Sequence, residues 1–119
     1  MASHNELGKF GEELAVDYLI KKGYIIKARN WRYQKAEIDI IAQKKDVLAI
    51  IEVKTRSSLE YGTPEQFVSH KKIKLLVSAT DVYVKQKDID VNIRFDIISI
   101  HKTDTKFDIR HTKEAFLFF

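Results

Sequence analysis

The sequence predicts an α/β domain, a mixed sheet with helices packed on it. Apolar residues recur at helical spacing in two stretches, one from Leu7 and one from Val68. Short runs rich in Ile, Val and Phe lie between and after them and read as strands. The resulting order is helix, strand, hairpin, helix, strand, strand, which implies the mixed sheet. At 119 residues the chain is expected to be one domain, residues 1–119, able to bury a single core but not two.

The first helix is expected to start at a cap, Asn5 or Ser3, and to run to about Lys22, with Gly23 as its stop. Leu7, Phe10, Leu14 and Tyr18 form its expected core stripe. At 100° per residue, Glu12 aligns with Gly8, Ala15 and Leu19, flanking that stripe, where another element can approach closely. Its alternative is an ordinary surface pair with Lys9 or Lys22. Tyr24–Ala28 reads as the first strand, followed by a basic and aromatic turn, residues 29–35, holding Arg29, Trp31, Arg32 and Tyr33. Aromatics among arginines suit stacking on bases beside phosphate, although a single Trp beside a strand equally suits packing.

Next comes a hairpin, Ala36–Gln43 and Val47–Lys54, turning at Lys45-Asp46. On its first strand Ile38, Ile40 and Ala42 are expected on one face, opposite Glu37, Asp39 and Ile41. On the second, Val47, Ala49, Ile51 and Val53 oppose Leu48, Ile50, Glu52 and Lys54. This register sets Glu52 across from Asp39 and Lys54 across from Glu37. Like charges directly opposed in a sheet are destabilising, so two acids on an apolar ribbon need a compensating charge. Mg²⁺ suits one or two carboxylates plus water and phosphate oxygens. A cross-strand salt-bridge cluster would satisfy the same pattern.

Residues 55–62 read as an irregular loop. Thr63-Pro64-Glu65-Gln66 has a helix-start pattern and Ser69 offers a second start. The helix that follows runs to about Lys85, burying Val68, Leu75, Leu76, Ala79, Val82 and Tyr83. Gln86-Lys87-Asp88 is a turn, Val91–Ile100 a strand, Thr103-Asp104 a turn and Thr105–Thr112 the last strand. Asp96, embedded in the former strand, is read as the partner of a nearby arginine, Arg94 or Arg56. The apolar end, Phe116-Leu117-Phe118-Phe119, either folds back on the core or makes an oligomer contact such as a homodimer.

Asp39 followed by Glu52-Val53-Lys54 resembles the D…(D/E)-x-K signature of the restriction-endonuclease-like nucleases. The blocks G-K-F-G-E-E-L-A, E-I-D-I-I-A and I-E-V-K-T-R, then Y-G-T-P-E, resemble one branch, the YraN-like uncharacterised protein family, related to archaeal Holliday-junction resolvases. The likeness spans Gly8 to Phe116. D…E-x-K alone arises easily by chance; the ordered set of blocks is specific. One departure is Ala36, where the family leads one to expect Gly, and it leaves the carboxylates in place.

The resemblance implies a restriction-endonuclease-like core and a divalent-metal-dependent nuclease acting on DNA, branched or junction DNA included. Asp39 and Glu52 would hold one Mg²⁺ or Mn²⁺ with the backbone carbonyl of Val53, and Glu12 would join through a metal water. Lys54 would orient the attacking water or stabilise the phosphate; beside two carboxylates its protonated form is expected to be favoured. The helix after the E-x-K strand would add Lys71 to the phosphate site. Arg29, Arg32 and Arg56 complete the residues expected to meet nucleic acid. The rivals are a non-catalytic nucleic-acid-binding module on the same fold and a protein-interaction domain.

Net charge is +4, too modest to identify a partner, but its distribution is uneven. Lys21, Lys22, Lys27, Arg29, Arg32 and Lys35 stand in a stretch without acids, as do Lys71, Lys72 and Lys74, the footprint expected for phosphate or for a solvated basic face. The absence of Cys removes disulfides and thiolate metal sites. With no signal-like apolar segment and no run of transmembrane length, a cytoplasmic location is expected. The four histidines fit no metal spacing, and no Gly-rich phosphate loop or serine-hydrolase order is present.

Overall fold

The computed structural model describes residues 4–57 and 68–116. Its elements are α1 (His4–Lys21), β1 (Ile25–Tyr33), β2 (Ala36–Lys44), β3 (Val47–Arg56), α2 (His70–Lys87), β4 (Asn92–Lys102) and β5 (Phe107–Thr112). The five strands form one sheet in sequence order. β3 and β4 are parallel and the other neighbours antiparallel, so the sheet is mixed, as expected. The parallel pair needs a long crossover, and α2 lies within it. α1 packs on one face through Ala15, Val16 and Leu19, and α2 on the other through Leu76, Ala79 and Tyr83.

Gly23 stops α1 at a positive φ of 95°, a backbone region that glycine enters without strain. Ser3 lies outside the described residues, and Asn5 falls inside the helix rather than ahead of it. The buried stripe is rotated from the expected one. Ala15, Val16 and Leu19 are buried, whereas Phe10 is 49% exposed and lies against Phe107. The reason is Gly11. A Cβ built there would stand 1.9 Å from Thr55 Oγ1, so the helix meets β3 along its smallest residues and the bulky ones flank the contact.

β1 corrects the expected basic turn. The strand continues through Arg29–Tyr33, and the turn is confined to residues 34–35. Two irregularities allow this: a register shift between Ile26 and Ala28, and Asn30 at a φ of 51°. Asn tolerates that left-handed region better than most residues. Arg29 pairs with Ile40 and Trp31 with Ile38, skipping Asn30 and Asp39 between them. Alternation flips at this point. Ile40 packs on the α1 side and Ile38 on the α2 side, where a single face had been expected. Trp31 is a packing residue, edge-on to Tyr83 with ring centroids 5.3 Å apart.

The central hairpin has the expected register, from Lys44↔Val47 to Ile40↔Ile51, and there it ends. Beyond Ile40 the start of β2 stays paired with β1, while the end of β3 stays paired with β4 as far as Arg56. The two halves of the sheet therefore part between β2 and β3, with Asp39 and Glu52 at the apex of the gap.

Ser69 caps α2: its Oγ accepts from the Lys72 amide at 3.1 Å. The Thr63 start lies outside the described residues. At the far end Asp88 closes the helix in the left-handed region, φ 53°. On the α1 side, Asp96 is fully buried and satisfied. Arg94 donates to both carboxylate oxygens, at 2.9 and 2.8 Å, and to Tyr24 Oη at 2.6 Å. His111 meets Asp96 through Nε2 at 2.7 Å and Tyr18 through Nδ1 at 3.1 Å. Burial would raise the Asp96 carboxyl, but His111 and Arg94 outweigh it and hold it below its ordinary range. At the C-terminal end Phe116 stacks on Phe95, so the apolar tail begins by folding back. Residues 117–119 lie outside the described residues.

The two helical glycines give opposite expectations. Gly11→Ala must displace α1 from Thr55 and should cost about 1–3 kcal/mol, the usual range for overpacking. Gly8→Ala meets nothing within 4 Å and should stabilise by up to about 1 kcal/mol through helix propensity. Urea unfolding of both variants measures the contrast.

Candidate active site

Four elements meet at the gap. β2 brings Asp39, β3 brings Glu52, Val53 and Lys54, α2 brings Lys72, and α1 lies near enough for Glu12 to act on them electrostatically. Where the ladder stops, the Val53 amide donates to Asp39 Oδ2 at 2.8 Å. A side chain thus completes a backbone hydrogen bond that β2 no longer supplies. In an extended strand the N–H and C=O of a residue leave toward the same edge. The Val53 carbonyl is therefore directed to the Asp39 side.

Glu52 is 4% exposed and its two oxygens are treated differently. Oε1 receives Lys72 Nζ at 2.6 Å and stands 3.6 Å from Lys54 Nζ. Oε2 is buried and has no hydrogen-bond partner among the described residues. An unsatisfied buried carboxylate oxygen is costly, so this group has unused capacity for a cation or donor. Burial, followed by the charge of Glu52, raises Asp39 to about 7, against the opposing Val53 hydrogen bond. Burial also raises Glu12, with Arg29 and Asn30 opposing and Glu37 and Glu52 adding. The site combines desolvated acids that repel one another, a condition relieved by binding positive charge.

The expectation for Lys54 changes sign. Burial, with a smaller contribution from the Lys72 ammonium at the same Glu52 oxygen, lowers its pKa despite the charge of Glu52. Lys72 shifts up: its hydrogen bond to Glu52 and the charges of Glu52 and Asp39 overcome burial. Lys72 is the residue that sequence reasoning missed in favour of Lys71. Its signal was helical phase, since Lys72 precedes Leu76 and Ala79 on the buried stripe, whereas Lys71 is exposed.

A cleft of about 290 Å³ opens beside the acids, lined by Lys35, Glu37, Asp39, Ser69, Lys71 and Lys72 among others. Lys71 thus stands on the cleft, exposed. Arg29 and Arg32 are placed on β1 and bound to acids, Arg29 to Glu13 and Arg32 to Glu37, each at 2.7 Å. Glu37 therefore pairs with Arg32 rather than with Lys54. Arg56 ends β3, half-buried beside His101 of β4. Among the described residues no three His, Cys, Asp or Glu side chains form a ready-made cage. The donor set fits a hard cation that takes two carboxylates and a carbonyl and keeps its waters.

Comparison with known proteins places this chain among others of the same size. The model of uncharacterised protein family UPF0102 matches residues 11–100. A UPF0102 protein of Flavobacterium psychrophilum is 56% identical over 119 residues, covering 100% of both chains. One from Flavobacterium johnsoniae is 52% identical over 123 residues, again 100% of both. One from Bacteroides thetaiotaomicron is 52% identical over 116 residues, 98% of this chain and 96% of its own.

Asp39 binds its proton more tightly in the folded chain than in the unfolded one. Metal-free stability should therefore fall as pH rises from 3.8 to about 7, with no further change from this group outside that window. Asp39→Asn keeps an oxygen for the Val53 amide and abolishes the titration. It should stabilise the metal-free protein at pH 8 by on the order of 1–2 kcal/mol and flatten the decline. Urea unfolding in chelator across that range is the measurement; an unchanged pH slope in the variant would exclude Asp39 as its source.

Proposed function

We propose that this chain, which belongs to uncharacterised protein family UPF0102, the YraN-like family, is a divalent-metal-dependent nuclease with a restriction-endonuclease-like core. It hydrolyses phosphodiester bonds in DNA, branched or junction DNA included. The observation that carries the reading is the pair of carboxylates at the parted end of β2 and β3, with Glu52 Oε2 buried and unpartnered among the described residues. A sheet that had only to be stable would not leave them there, as the well-partnered Asp96 illustrates.

Asp39, Glu52 and the Val53 carbonyl would hold Mg²⁺ or Mn²⁺. The bound ion would supply charge against the phosphate and lower the pKa of a water. Lys54, on the same strand face as Glu52, presents an ammonium whose lowered pKa makes it a ready proton donor to charge developing on the phosphate. Lys35 and Lys71 line the cleft and would hold the anionic backbone. Glu12 adds negative potential from α1. Among the described residues no helix is long and apolar enough to cross a membrane.

A second reading, a non-catalytic nucleic-acid-binding module, is favoured by one contact. Lys72 already neutralises Glu52, so the site holds together without metal. Lys54 separates the two. Lys54→Ala should retain Mn²⁺ binding and most DNA affinity while losing Mn²⁺-dependent nicking of branched and single-stranded substrates by about 10²–10³-fold. Asp39→Ala controls for contaminating activity. Equal residual nicking in wild type, Lys54→Ala and Asp39→Ala would leave the binding module as the function.

A further inference from the structure

We propose that Lys72 is a tethered counter-cation: without a divalent ion its ammonium neutralises Glu52 through Oε1, and an ion arriving at Oε2 and Asp39 releases it into the cleft, toward the phosphate. The proposal rests on the metal-site reading above and assigns a role to a residue outside the D…E-x-K pattern.

Three observations carry it. Lys72 reaches Glu52 Oε1 at 2.6 Å, closer than Lys54 at 3.6 Å, although Lys54 shares a strand with that acid. The contact therefore comes from across the gap, from another element. The second is the position of Lys72 on its helix. It lies three residues after the cap Ser69, in a first turn that contains no acid. The positive pole of a helix repels cations, so α2 itself does not favour an ammonium there. Attraction from the sheet carboxylates holds it.

The third is the surroundings. The Lys72 side chain is 36% exposed and lines the cleft with Lys35, Lys71 and Ser69. A divalent ion on Glu52 and Asp39 would cancel the attraction that keeps the ammonium inward. The helix pole would then push it outward along its four-carbon stem. Outward means into the basic cleft, where it would join Lys35 and Lys71 against an anionic phosphate. Metal loading and phosphate binding are coupled by this movement, and the coupling is reciprocal. A metal-free site is correspondingly a poorer phosphate site, with one cation turned away.

Calorimetric titration with Mn²⁺, beside metal-free thermal unfolding, tests the exchange on wild type, Lys72→Gln and Lys72→Arg. Lys72→Gln keeps a donor for Glu52 but loses the charge. Its metal-free melting temperature should fall while its Mn²⁺ affinity rises about tenfold, the equivalent of one charge-assisted hydrogen bond no longer displaced. Lys72→Arg keeps the charge and should stay within about twofold of wild type in affinity. If metal-free Lys72→Gln does not fold, Mn²⁺ should restore its folding. Mn²⁺ affinity unchanged or weaker in Lys72→Gln, with wild type binding normally, overturns the counter-cation and leaves the metal site standing. A Lys72→Gln that stays unfolded with Mn²⁺ overturns it equally. No Mn²⁺ binding by any of the three proteins removes the metal-site reading itself, and the proposal with it.

Discussion

The Val53 amide, received by the Asp39 carboxylate, is the hydrogen bond on which the arrangement at the gap depends. Strands of a sheet normally part only where water or another element takes over their polar groups. Here a side chain takes over, and the sheet can open in its interior without orphaning that amide. The same bond commits one oxygen of Asp39 and fixes the carboxylate against the strand that carries Glu52. Opening the ladder and assembling the acids are one structural event.

Two aspartates of the sheet illustrate what environment does to one chemical group. Asp96 receives a bidentate arginine, a histidine and the Glu114 amide, and its pKa falls. Asp39 receives one amide and faces another carboxylate, and its pKa rises. Both stand in a five-stranded sheet and both are largely removed from water. The number of donors decides the direction, and only the second acid is left with affinity for added positive charge.

Much of this was legible from the chain. Alternation on β3 sorted Ala49 and Ile51 from Leu48, Ile50 and Glu52, because that strand is regular. The turn at Lys45-Asp46 set the hairpin register, which holds as far as Ile40↔Ile51. Legibility failed where the backbone left the regular patterns. A left-handed Asn30 inside a strand is invisible to pattern, so β1 reads as ending early, and regular alternation along β2 puts Ile38 on the face of Ile40. The α1 stripe misled because hydrophobicity ranks Phe10 above Gly11, whereas docking on Thr55 selects the smaller residue. Lys72 was passed over because charge argues for the surface, and only its partner on another element brings it inward.

β1 has one more consequence. It is an outer strand of the sheet, and an outer strand is a template on which a further chain can add. This one carries Lys27, Arg29 and Arg32 as exposed residues, and its backbone is broken by a register shift and by Asn30. Long charged side chains and an uneven row of amides make a poor match for a second copy arriving edge to edge. The irregularities that disguised the strand in the sequence thus also guard the protein against joining its neighbours into a continuous sheet.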